Sequence, residues 1–340
     1  MVLDLASSTL FNMAAKPIVS YLGPTASYSE QAVRQVFSED YWQLKPVVTI
    51  DDIFDEVQSG RTLLGVVPFE NSSNGPVVFT LDDFADRDKK YSDIAVNGDI
   101  YVDVHHYLLG HIASAAAPAA EHDGTSTPTA SDPNPTKPKA TPLTNLDKIK
   151  RVYSHPQAFG QCKAFLSTYL KGAETLEVSS TSKAAELVSN DTSGESAAIS
   201  SELAGKLYHL DTLAKSIEDR DDNKTRFLVI SKDFIIPKQA AQLNWPRAER
   251  TGTKSLISFT VPHNAPGALA DALGGFKENG VNLTSINTRP TGKEAFQYIF
   301  FVEFEGSRLD DEDGSVNAAL EEINKVAESW RWLGSWDTYQ

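Results

Sequence analysis

The 340-residue sequence contains one cysteine, Cys162, so the chain cannot form an intramolecular disulfide. A single cysteine suits a reducing compartment. No apolar run reaches the roughly 20 residues that a membrane-spanning helix needs, so we expect no membrane segment. The first residues lack a basic start and a long apolar stretch, and they include Asp4 but no arginine, which argues against a secretory signal or a transit peptide. The sequence therefore predicts a cytoplasmic protein.

Basic residues are also scarce. The 31 lysines and arginines are outnumbered by 46 acidic residues, which gives a formal net charge of −15. No basic cluster stands out, so we expect no binding to nucleic acid. The overall field would repel an anionic ligand, although salt screens it beyond about 8 Å. Any anion site must therefore be built from local donors.

Large apolar residues almost disappear between residues 111 and 148, where Ala, Pro, Ser and Thr dominate. Such a segment buries too little surface to offset the entropy of ordering. We therefore predict a disordered, mobile surface insertion at about residues 112–147, between two strands. A second polar link, KQAAQLNWPRAERTGTKS, separates the residues before Phe234 from those after Ser255.

Strand and helix patterns alternate on both sides of the predicted insertion. This alternation is typical of an open α/β sheet, whose ligands bind at the carboxyl ends of strands beside helix N-termini. Two α/β blocks separated by an insertion predict two lobes with a cleft between them. Strands are predicted at residues 18–22, 47–50, 63–69, 103–110, 148–154, 197–201 and 226–234, and the segment LEVSS leads into a helix from Ser182.

The last part of the chain has a different order of elements. The segments SLISFTV, PGALADALGGFKENG, VNLTSINTRP, AFQYIFFVEFEG, VNAALEEINKVAES and RWLGSWDTY predict strand, helix, strand, strand, helix and strand. This βαββαβ order is that of a ferredoxin-like domain.

Five motifs occur in a fixed order: YLGPTASYSEQA, VVPFENSSNGPV, YSHPQAFGQC, SSTSKAAELV and DDNKTRFLVIS. Together they resemble the motif set of prephenate dehydratases, and the HNAPGALADAL and INTRP segments resemble the ACT domain that follows in that family. The resemblance implies a periplasmic-binding-protein-like catalytic domain at 16–235 and an ACT regulatory domain at 253–337. It also implies conversion of prephenate to phenylpyruvate without a metal or other cofactor, phenylalanine as effector, and a homodimer or homotetramer.

The Asn223-Lys224-Thr225-Arg226-Phe227 run carries the first catalytic candidates. The resemblance implies that Thr225 hydrogen-bonds the leaving hydroxyl; the alternative is a threonine that begins an edge strand. Arg226 can pair with a substrate carboxylate, or with Asp221 or Asp222 as a structural ion pair. Phe227 is expected beside the substrate ring or in the lobe core.

Glu70-Asn71-Ser72 follows the buried segment LLGVVPF, at the end of a strand where α/β ligand sites lie. Asn71 and Ser72 can hydrogen-bond a carboxylate or a hydroxyl. Glu70 can act as a general acid if burial raises its pKa, or it can fix the neighbouring loop through backbone amides. We favour the structural alternative for Glu70.

Three helix starts offer hydroxyls and free amides to an anion, at residues 25–27, 154–157 and 180–182. Each can equally be an ordinary cap, which contributes about 1 kcal/mol to stability. The residues expected to face substrate are Thr25, Ser27, Gln157, Ser180 and Thr181. Ser27 is nevertheless favoured as a plain cap, and Gln157 is balanced between the two roles.

Two histidines and the cysteine are assigned mainly structural roles. His105 and His106 lie on an apolar strand, where a histidine is more often a satisfied structural residue than a catalytic one. Cys162 lies within a predicted helix, without the paired base or metal spacing that a reactive thiol needs. We predict that Cys162 packs in a core.

The predicted effector residues lie in two ACT segments. Gly267, Ala268 and Leu269 begin the first helix, and the resemblance implies that phenylalanine binds near this turn and near a Glu-Ser-Arg-Pro motif. Here that motif is Asn287-Thr288-Arg289-Pro290, so Arg289 and Pro290 match while the Glu-Ser pair is replaced. An ACT domain kept for assembly alone is the alternative.

Two further functions compete with the first. An arogenate dehydratase would accept the amino form of the substrate. A non-catalytic small-molecule sensor on the same fold is the alternative from another class, although neither a signal peptide nor a basic helix-turn-helix is visible. The intact Asn-Lys-Thr-Arg-Phe run favours an enzyme.

Overall fold

The computed structural model of the chain describes residues 16–112, 137–232 and 250–339. Two sheets organise these residues: one of ten strands and one of five. The large sheet belongs to the first lobe and to the C-terminal domain, and the small sheet belongs to the second lobe. The two-lobed α/β architecture followed by a βαββαβ unit confirms the predicted fold class.

The first lobe contains most of the segment before residue 103 and one strand from much later in the chain. Its parallel strands β1 and β2 pair beside β3, and β11 returns antiparallel between β3 and β5. Its elements are β1 (Ile18–Leu22), α1 (Tyr28–Val36), β2 (Gln43–Val47), α2 (Ile50–Gln58), β3 (Leu64–Asn71), β4 (Gly75–Pro76), α3 (Val78–Ala85), β5 (Ile94–Asp103) and β11 (Lys224–Lys232).

The second lobe is inserted between β5 and β11. Its sheet has the strand order β10-β6-β9-β7-β8. Its elements are β6 (Tyr107–Gly110), β7 (Arg151–Ser154), α4 (Pro156–Gln161), α5 (Lys163–Tyr169), β8 (Glu174–Glu177), α6 (Thr181–Ser189), β9 (Ser196–Ser200), α7 (Glu202–Leu207) and β10 (Asp211–Ala214).

Two chain segments connect the lobes, and they run side by side. Residues 104–106 lead from β5 to β6, and residues 215–223 lead from β10 to β11. The Val104 amide donates to the Asn223 carbonyl at 2.8 Å, and the Ile217 amide donates to the His106 carbonyl at 2.9 Å. These paired crossovers form the junction between the lobes.

The C-terminal domain continues the sheet of the first lobe. Strand β15 lies beside β5, with Gly334 opposite Val96, so the order across the large sheet is β13-β14-β12-β15-β5-β11-β3-β1-β2, with β4 on β3. The domain consists of β12 (Arg250–Thr260), α8 (Ala268–Glu278), β13 (Leu283–Pro290), β14 (Tyr298–Glu305), α9 (Ser315–Val326) and β15 (Ser329–Tyr339).

Several local predictions are wrong. The strand predicted at 47–50 is instead β2 at Gln43–Val47, because Thr49 caps α2 through the Asp52 amide. The strand predicted at 103–110 is two strands, and most of β5 was missed because its polar Asn97 and Asp99 interrupt the apolar pattern. The single helix predicted around Cys162 is broken into α4 and α5 at that residue.

The predicted insertion at 112–147 is only partly described, since residues 113–136 lie outside the described residues. The described end of the insertion, 137–147, is ordered, which corrects the prediction. Ala140 and Leu146 are buried in the second-lobe core, and the Leu143 amide donates to Leu213 at 2.7 Å. The end of the second predicted polar link overlaps a strand, because β12 begins at Arg250.

Among the described residues, none of the helices combines the length and the apolar character that crossing a bilayer would demand.

Candidate active site

The predicted catalytic threonine is held by the predicted asparagine. Thr225 at the start of β11 lies opposite Asn71 at the end of β3. The Asn71 Nδ2 donates to the Thr225 Oγ1 at 2.9 Å, and it also lies 2.9 Å from the Asn223 Oδ1. Both Thr225 and Asn71 are partly exposed. The structure thus brings together two segments about 150 residues apart in sequence.

The orientation of the Asn71 amide group is fixed by backbone donors. The backbone amides of Ser73 and Asn74 both donate to the Asn71 Oδ1 at 3.0 Å. Because a backbone amide can only donate, the oxygen must face the turn and the nitrogen must face Thr225. The Thr225 oxygen is therefore an acceptor in this contact, and its own proton remains available to a ligand.

Ser72 and Asn223 support the Asn71–Thr225 pair from the neighbouring loop. The Lys224 amide donates to the Ser72 Oγ at 2.9 Å, so the predicted ligand residue Ser72 joins the two strands. Asn223 is buried, and its Nδ2 has no hydrogen-bond acceptor among the described residues. Sequence analysis missed Asn223 as a site residue, although it lies within the motif that contains Thr225.

The start of α1 lies against the second lobe. Ser27 caps α1 by accepting from the Glu30 amide at 3.3 Å, and Glu30 accepts from the Ala26 amide. Two second-lobe serines bind the preceding residues: Ser182 donates to the Thr25 carbonyl at 2.6 Å, and Ser201 donates to the Ala26 carbonyl at 3.2 Å.

The predicted helix-start residues therefore gather where the lobes meet. Ser180 caps α6 through the Lys183 amide at 3.0 Å, and Thr181 is the first residue of that helix. Ser182 of the same turn contacts Thr25, so Thr25, Ser27, Ser180 and Thr181 belong to one neighbourhood. The first amides of a helix lack intrahelical acceptors, which gives this neighbourhood positive potential without a basic side chain.

His106 lies in the junction between the lobes and is buried. Its Nδ1 is 3.0 Å from the Tyr28 hydroxyl on α1, and its Nε2 is 2.7 Å from the Gln161 Oε1 on α4. Burial lowers the pKa of the ring below its ordinary value, so His106 is neutral near pH 7. Sequence analysis missed Tyr28 and Gln161, because no local pattern distinguishes them.

A buried carboxylate fixes both histidines. The Glu218 side chain accepts from the His106 amide at 2.8 Å and contacts the His105 Nδ1 at 3.0 Å. Lys139, from the described end of the predicted insertion, pairs with Glu218 at 2.9 Å. Burial alone would raise the pKa of Glu218, but the hydrogen bonds from Lys139, His105 and the His106 amide lower it. Glu218 therefore stays ionised and holds the junction together.

Two family models match the chain. A family model described as prephenate dehydratase matches residues 19–234, and one described as ACT domain matches residues 255–328. The chain belongs to the prephenate dehydratase family.

Individual relatives are similar over most of their length. A bifunctional chorismate mutase/prephenate dehydratase of Aquifex aeolicus is 35% identical over 97% of this chain and 76% of its own. A prephenate dehydratase of Methanocaldococcus jannaschii is 30% identical over 85% of this chain and 89% of its own. The crystal structure of a prephenate dehydratase from Arthrobacter aurescens in complex with L-Phe is 26% identical, with a TM-score of 0.74 over 94% of this chain and 90% of that chain.

Within this family member, Arg226 does not face the lobe junction, which corrects its prediction as a catalytic residue. Consecutive side chains of a strand point to opposite faces, so Arg226 points away from the Thr225 side. Its guanidinium is buried and contacts Asp99 at 3.0 Å and Glu303 of the ACT domain at 2.6 Å. It is indeed a structural ion-pair partner, but not of Asp221 or Asp222.

Phe227 is a core residue rather than a site wall. It is 1% exposed and packs in the first-lobe core with Tyr21 and Val66. Cys162 is also buried in a core, which confirms its predicted packing role.

Glu70 and Gln157 are the two remaining predicted site residues of the lobes. Glu70 lies opposite Arg226 on β3 and is partly exposed. Gln157 is exposed near the start of α4, and its backbone N–H donates to the His155 Nδ1 at 3.3 Å. His155, and not Ser154, therefore caps α4, while Ser154 binds the Ile199 carbonyl in the core. The general-acid and loop-fixing alternatives for Glu70 and the role of Gln157 in substrate binding stay predictions.

A cavity of about 520 Å³ lies at the predicted effector turn of the ACT domain. Gly267, with a φ of 89°, begins the turn there, and the lining includes aromatic side chains of β14 and its preceding loop. The lining residues are Val261, Pro262, His263, Ala265, Gly267, Ala268, Leu269, Ala270, Leu273, Phe296, Gln297, Tyr298 and Phe300.

The second predicted effector motif does not line this cavity. On β13, Arg289 lies opposite Ile299, so it faces away from the cavity side on which Tyr298 and Phe300 lie. Arg289 instead binds Asp82 of α3 through two contacts at 2.8 and 2.7 Å. The Pro290 carbonyl accepts from Arg87, and Asn287 donates to Ser285. The expectation that both motifs form one pocket is wrong within a single chain.

The described residues contain no group of three or more His, Cys, Asp or Glu side chains that could hold a metal ion.

Proposed function

We propose that the chain converts prephenate to phenylpyruvate, carbon dioxide and water. The observation that carries this proposal is the Thr225 hydroxyl, which accepts a hydrogen bond from Asn71 and keeps its own proton for a ligand. Family membership supports the same reaction.

The reaction needs a donor at the leaving hydroxyl. As the ring carboxylate departs as CO2, the electrons of the broken C–C bond enter the ring, and the ring hydroxyl leaves with its bonding pair as hydroxide, which takes up a proton from solvent to become water. A hydrogen bond from Thr225 stabilises the negative charge that develops on this oxygen. One oriented donor in a site that excludes water contributes on the order of 10²–10³ in rate.

The second requirement is to hold a dianion in a protein of net charge −15. The helix starts at Ser27 and Ser180 supply backbone amides for a carboxylate. Contacts of Ser182 and Ser201 with the Thr25–Ala26 carbonyls support the idea that both helix starts face one cleft. We assign anchoring of the pyruvyl carboxylate to this region.

The direct test is turnover of prephenate and arogenate by the purified chain. Prephenate yields phenylpyruvate, whereas arogenate yields phenylalanine, so product analysis separates the two dehydratase activities. We expect faster turnover of prephenate. Faster turnover of arogenate would change the substrate assignment, and binding of both acids without turnover would favour the sensor alternative.

We further propose that phenylalanine binds the ACT cavity and lowers the activity. The apolar and aromatic lining of the cavity suits a benzyl side chain, and the Arthrobacter aurescens relative was crystallised with L-Phe. Calorimetry should detect heat on phenylalanine addition, with alanine as the control ligand. Absence of both heat and inhibition at millimolar phenylalanine would indicate that the ACT domain serves assembly alone.

Self-association through the ACT domain is a third proposal. Strand β13 pairs only with β14 among the described strands, so its outer edge offers unpaired backbone groups. Ile286 on this strand is 50% exposed. Light scattering should give a dimer or a tetramer of the 37.1 kDa chain. The variant Ile286→Arg should shift the mass towards the monomer, and a wild-type monomer would contradict the proposal.

A further inference from the structure

A buried charge cluster lies directly behind the candidate catalytic threonine. Arg226, the residue after Thr225 on β11, contacts Asp99 of the same lobe and Glu303 of the ACT domain. The side chains of Arg226, Asp99 and Glu303 are 7%, 4% and 1% exposed, so this ion pair is scarcely screened by solvent.

Glu303 is itself firmly held within the ACT domain. Its Oε1 accepts from the Lys254 ammonium at 2.9 Å and from the Thr284 hydroxyl at 2.7 Å. Its other oxygen contacts the Arg226 guanidinium at 2.6 Å. The position of Arg226 is therefore set in part by strands β12, β13 and β14, none of which belongs to the catalytic lobes.

A β-bulge connects Arg226 to the Asn71–Thr225 pair. The register of β11 against β3 shifts between Arg226 and Phe227, because Arg226 lies opposite Glu70 while Phe227 lies opposite Pro68. Phe69 is the extra residue on β3, and its ring lies 5.5 Å from the Arg226 guanidinium. Bulges redirect the side chains near them, and Asn71 follows two residues after Phe69.

We infer that Glu303 of the ACT domain is a positioning residue for the reaction, acting through Arg226 and the Phe69 bulge on the Asn71–Thr225 hydrogen bond. The inference depends on the proposed dehydratase function. It goes beyond that function, because the ACT domain then helps to position the Thr225 hydroxyl even when no effector is bound.

A second interdomain ion pair supplies a matched control. Asp82 of α3 binds Arg289 of β13, so it also joins the first lobe to the ACT domain. Asp82 does not contact β11 or the bulge in any hydrogen bond or ion pair that the structure describes. A general loss of domain contact should therefore appear in Asp82→Asn as well as in Glu303→Gln, whereas a positioning effect should appear only in the latter.

The experiment measures kcat and KM for prephenate, without phenylalanine, in wild type, Glu303→Gln, Glu303→Asp and Asp82→Asn. Hydrogen exchange of the peptides that cover 69–74 and 222–227 gives a readout independent of activity. We expect Glu303→Gln to lower kcat roughly tenfold with KM within about twofold, since a 1 Å misplacement can cost up to 10²-fold. Glu303→Asp, which keeps the charge, should recover part of this loss.

The exchange measurement should show faster uptake at both peptides in Glu303→Gln and unchanged uptake in Asp82→Asn. If Glu303→Gln does not fold, Thr284→Val removes one hydrogen bond to Glu303 without a charge change, and it should lower kcat in the same direction. Wild-type kcat and uptake in Glu303→Gln, or equal losses in Asp82→Asn, would overturn the inference. An inactive wild type would refute the dehydratase proposal and the positioning role with it, and the exchange data would still reveal whether Glu303 orders the bulge.

Discussion

The two faces of strand β11 differ sharply at adjacent residues. On one face Thr225 takes part in a neutral network of amides and a hydroxyl with Asn71. On the other face Arg226 belongs to a buried cluster of charges with Asp99, Glu303 and, through Glu303, Lys254. The neutral face holds the proposed catalytic hydroxyl, and the charged face joins the first lobe to the ACT domain.

The comparison shows that one sequence motif can serve two structural purposes. Strand alternation separates neighbouring side chains, so the residue beside a catalytic one points away from the substrate. The ACT motif repeats the pattern, because Arg289 faces Asp82 of the catalytic lobe and not the effector cavity. Both motif arginines bind a carboxylate across the domain boundary.

The largest effect is expected from removing the buried arginine. Arg226→Met leaves Asp99 and Glu303 buried without their shared cation, and breaking a buried pair typically costs about 3–5 kcal/mol. Arg289→Met removes the more exposed pair with Asp82 and should cost about 1 kcal/mol or less. Urea unfolding midpoints measure both. Equal losses would remove the distinction between the buried and the exposed interdomain pair.

The next largest effect concerns the neutral face. In Asn71→Asp the carboxylate can still accept from the Ser73 and Asn74 amides, but it cannot donate to Thr225. The Thr225 proton should then turn to the carboxylate, and we expect kcat for prephenate to fall about 10²-fold. Asn74→Asp places the same charge on an exposed residue of the same turn and should leave kcat unchanged. A similar fall in both variants would indicate a general charge effect.

The smallest effect concerns Asp83, which lies beside Asp82 on α3. Burial, followed by repulsion from Asp51, raises the pKa of Asp83 from 3.8 to about 7. A raised pKa favours the protonated folded state, so this contribution is complete below about pH 4 and is lost as pH rises through 7. Asp83→Asn should therefore raise the Tm at pH 8 by about 2 °C and raise it less at pH 5. An equal change at both pH values would contradict the assigned pKa.

The sequence predicted much of the fold, because its elements follow simple periodic patterns. The βαββαβ order and the helix starts at Ser27 and Ser180 were recoverable from apolar spacing and capping residues. The order of residues 137–147 could not be predicted from local patterns. It depends on Ala140, which packs in the second-lobe core, and on Lys139, which forms an ion pair with the buried Glu218 of a distant segment.

The site was predicted less completely, because contacts between residues that are distant in sequence leave no local sequence pattern. Thr225 and Asn71 were identified, and the structure pairs them. Tyr28 and Gln161 were missed, since their roles arise only when His106 lies between them. The ion pairs of Arg226 depend on Asp99 and on Glu303 of the ACT domain, and no pattern around Arg226 indicates these distant partners.

The kcat for prephenate of Thr225→Val and Thr225→Ser tests most directly whether the Thr225 hydroxyl is the catalytic donor. Valine keeps the shape and removes the proton, so we expect a loss on the order of 10²–10³ with an unchanged circular-dichroism spectrum. Serine keeps the hydroxyl and should stay within about tenfold of wild type. A valine variant as active as wild type would contradict the account.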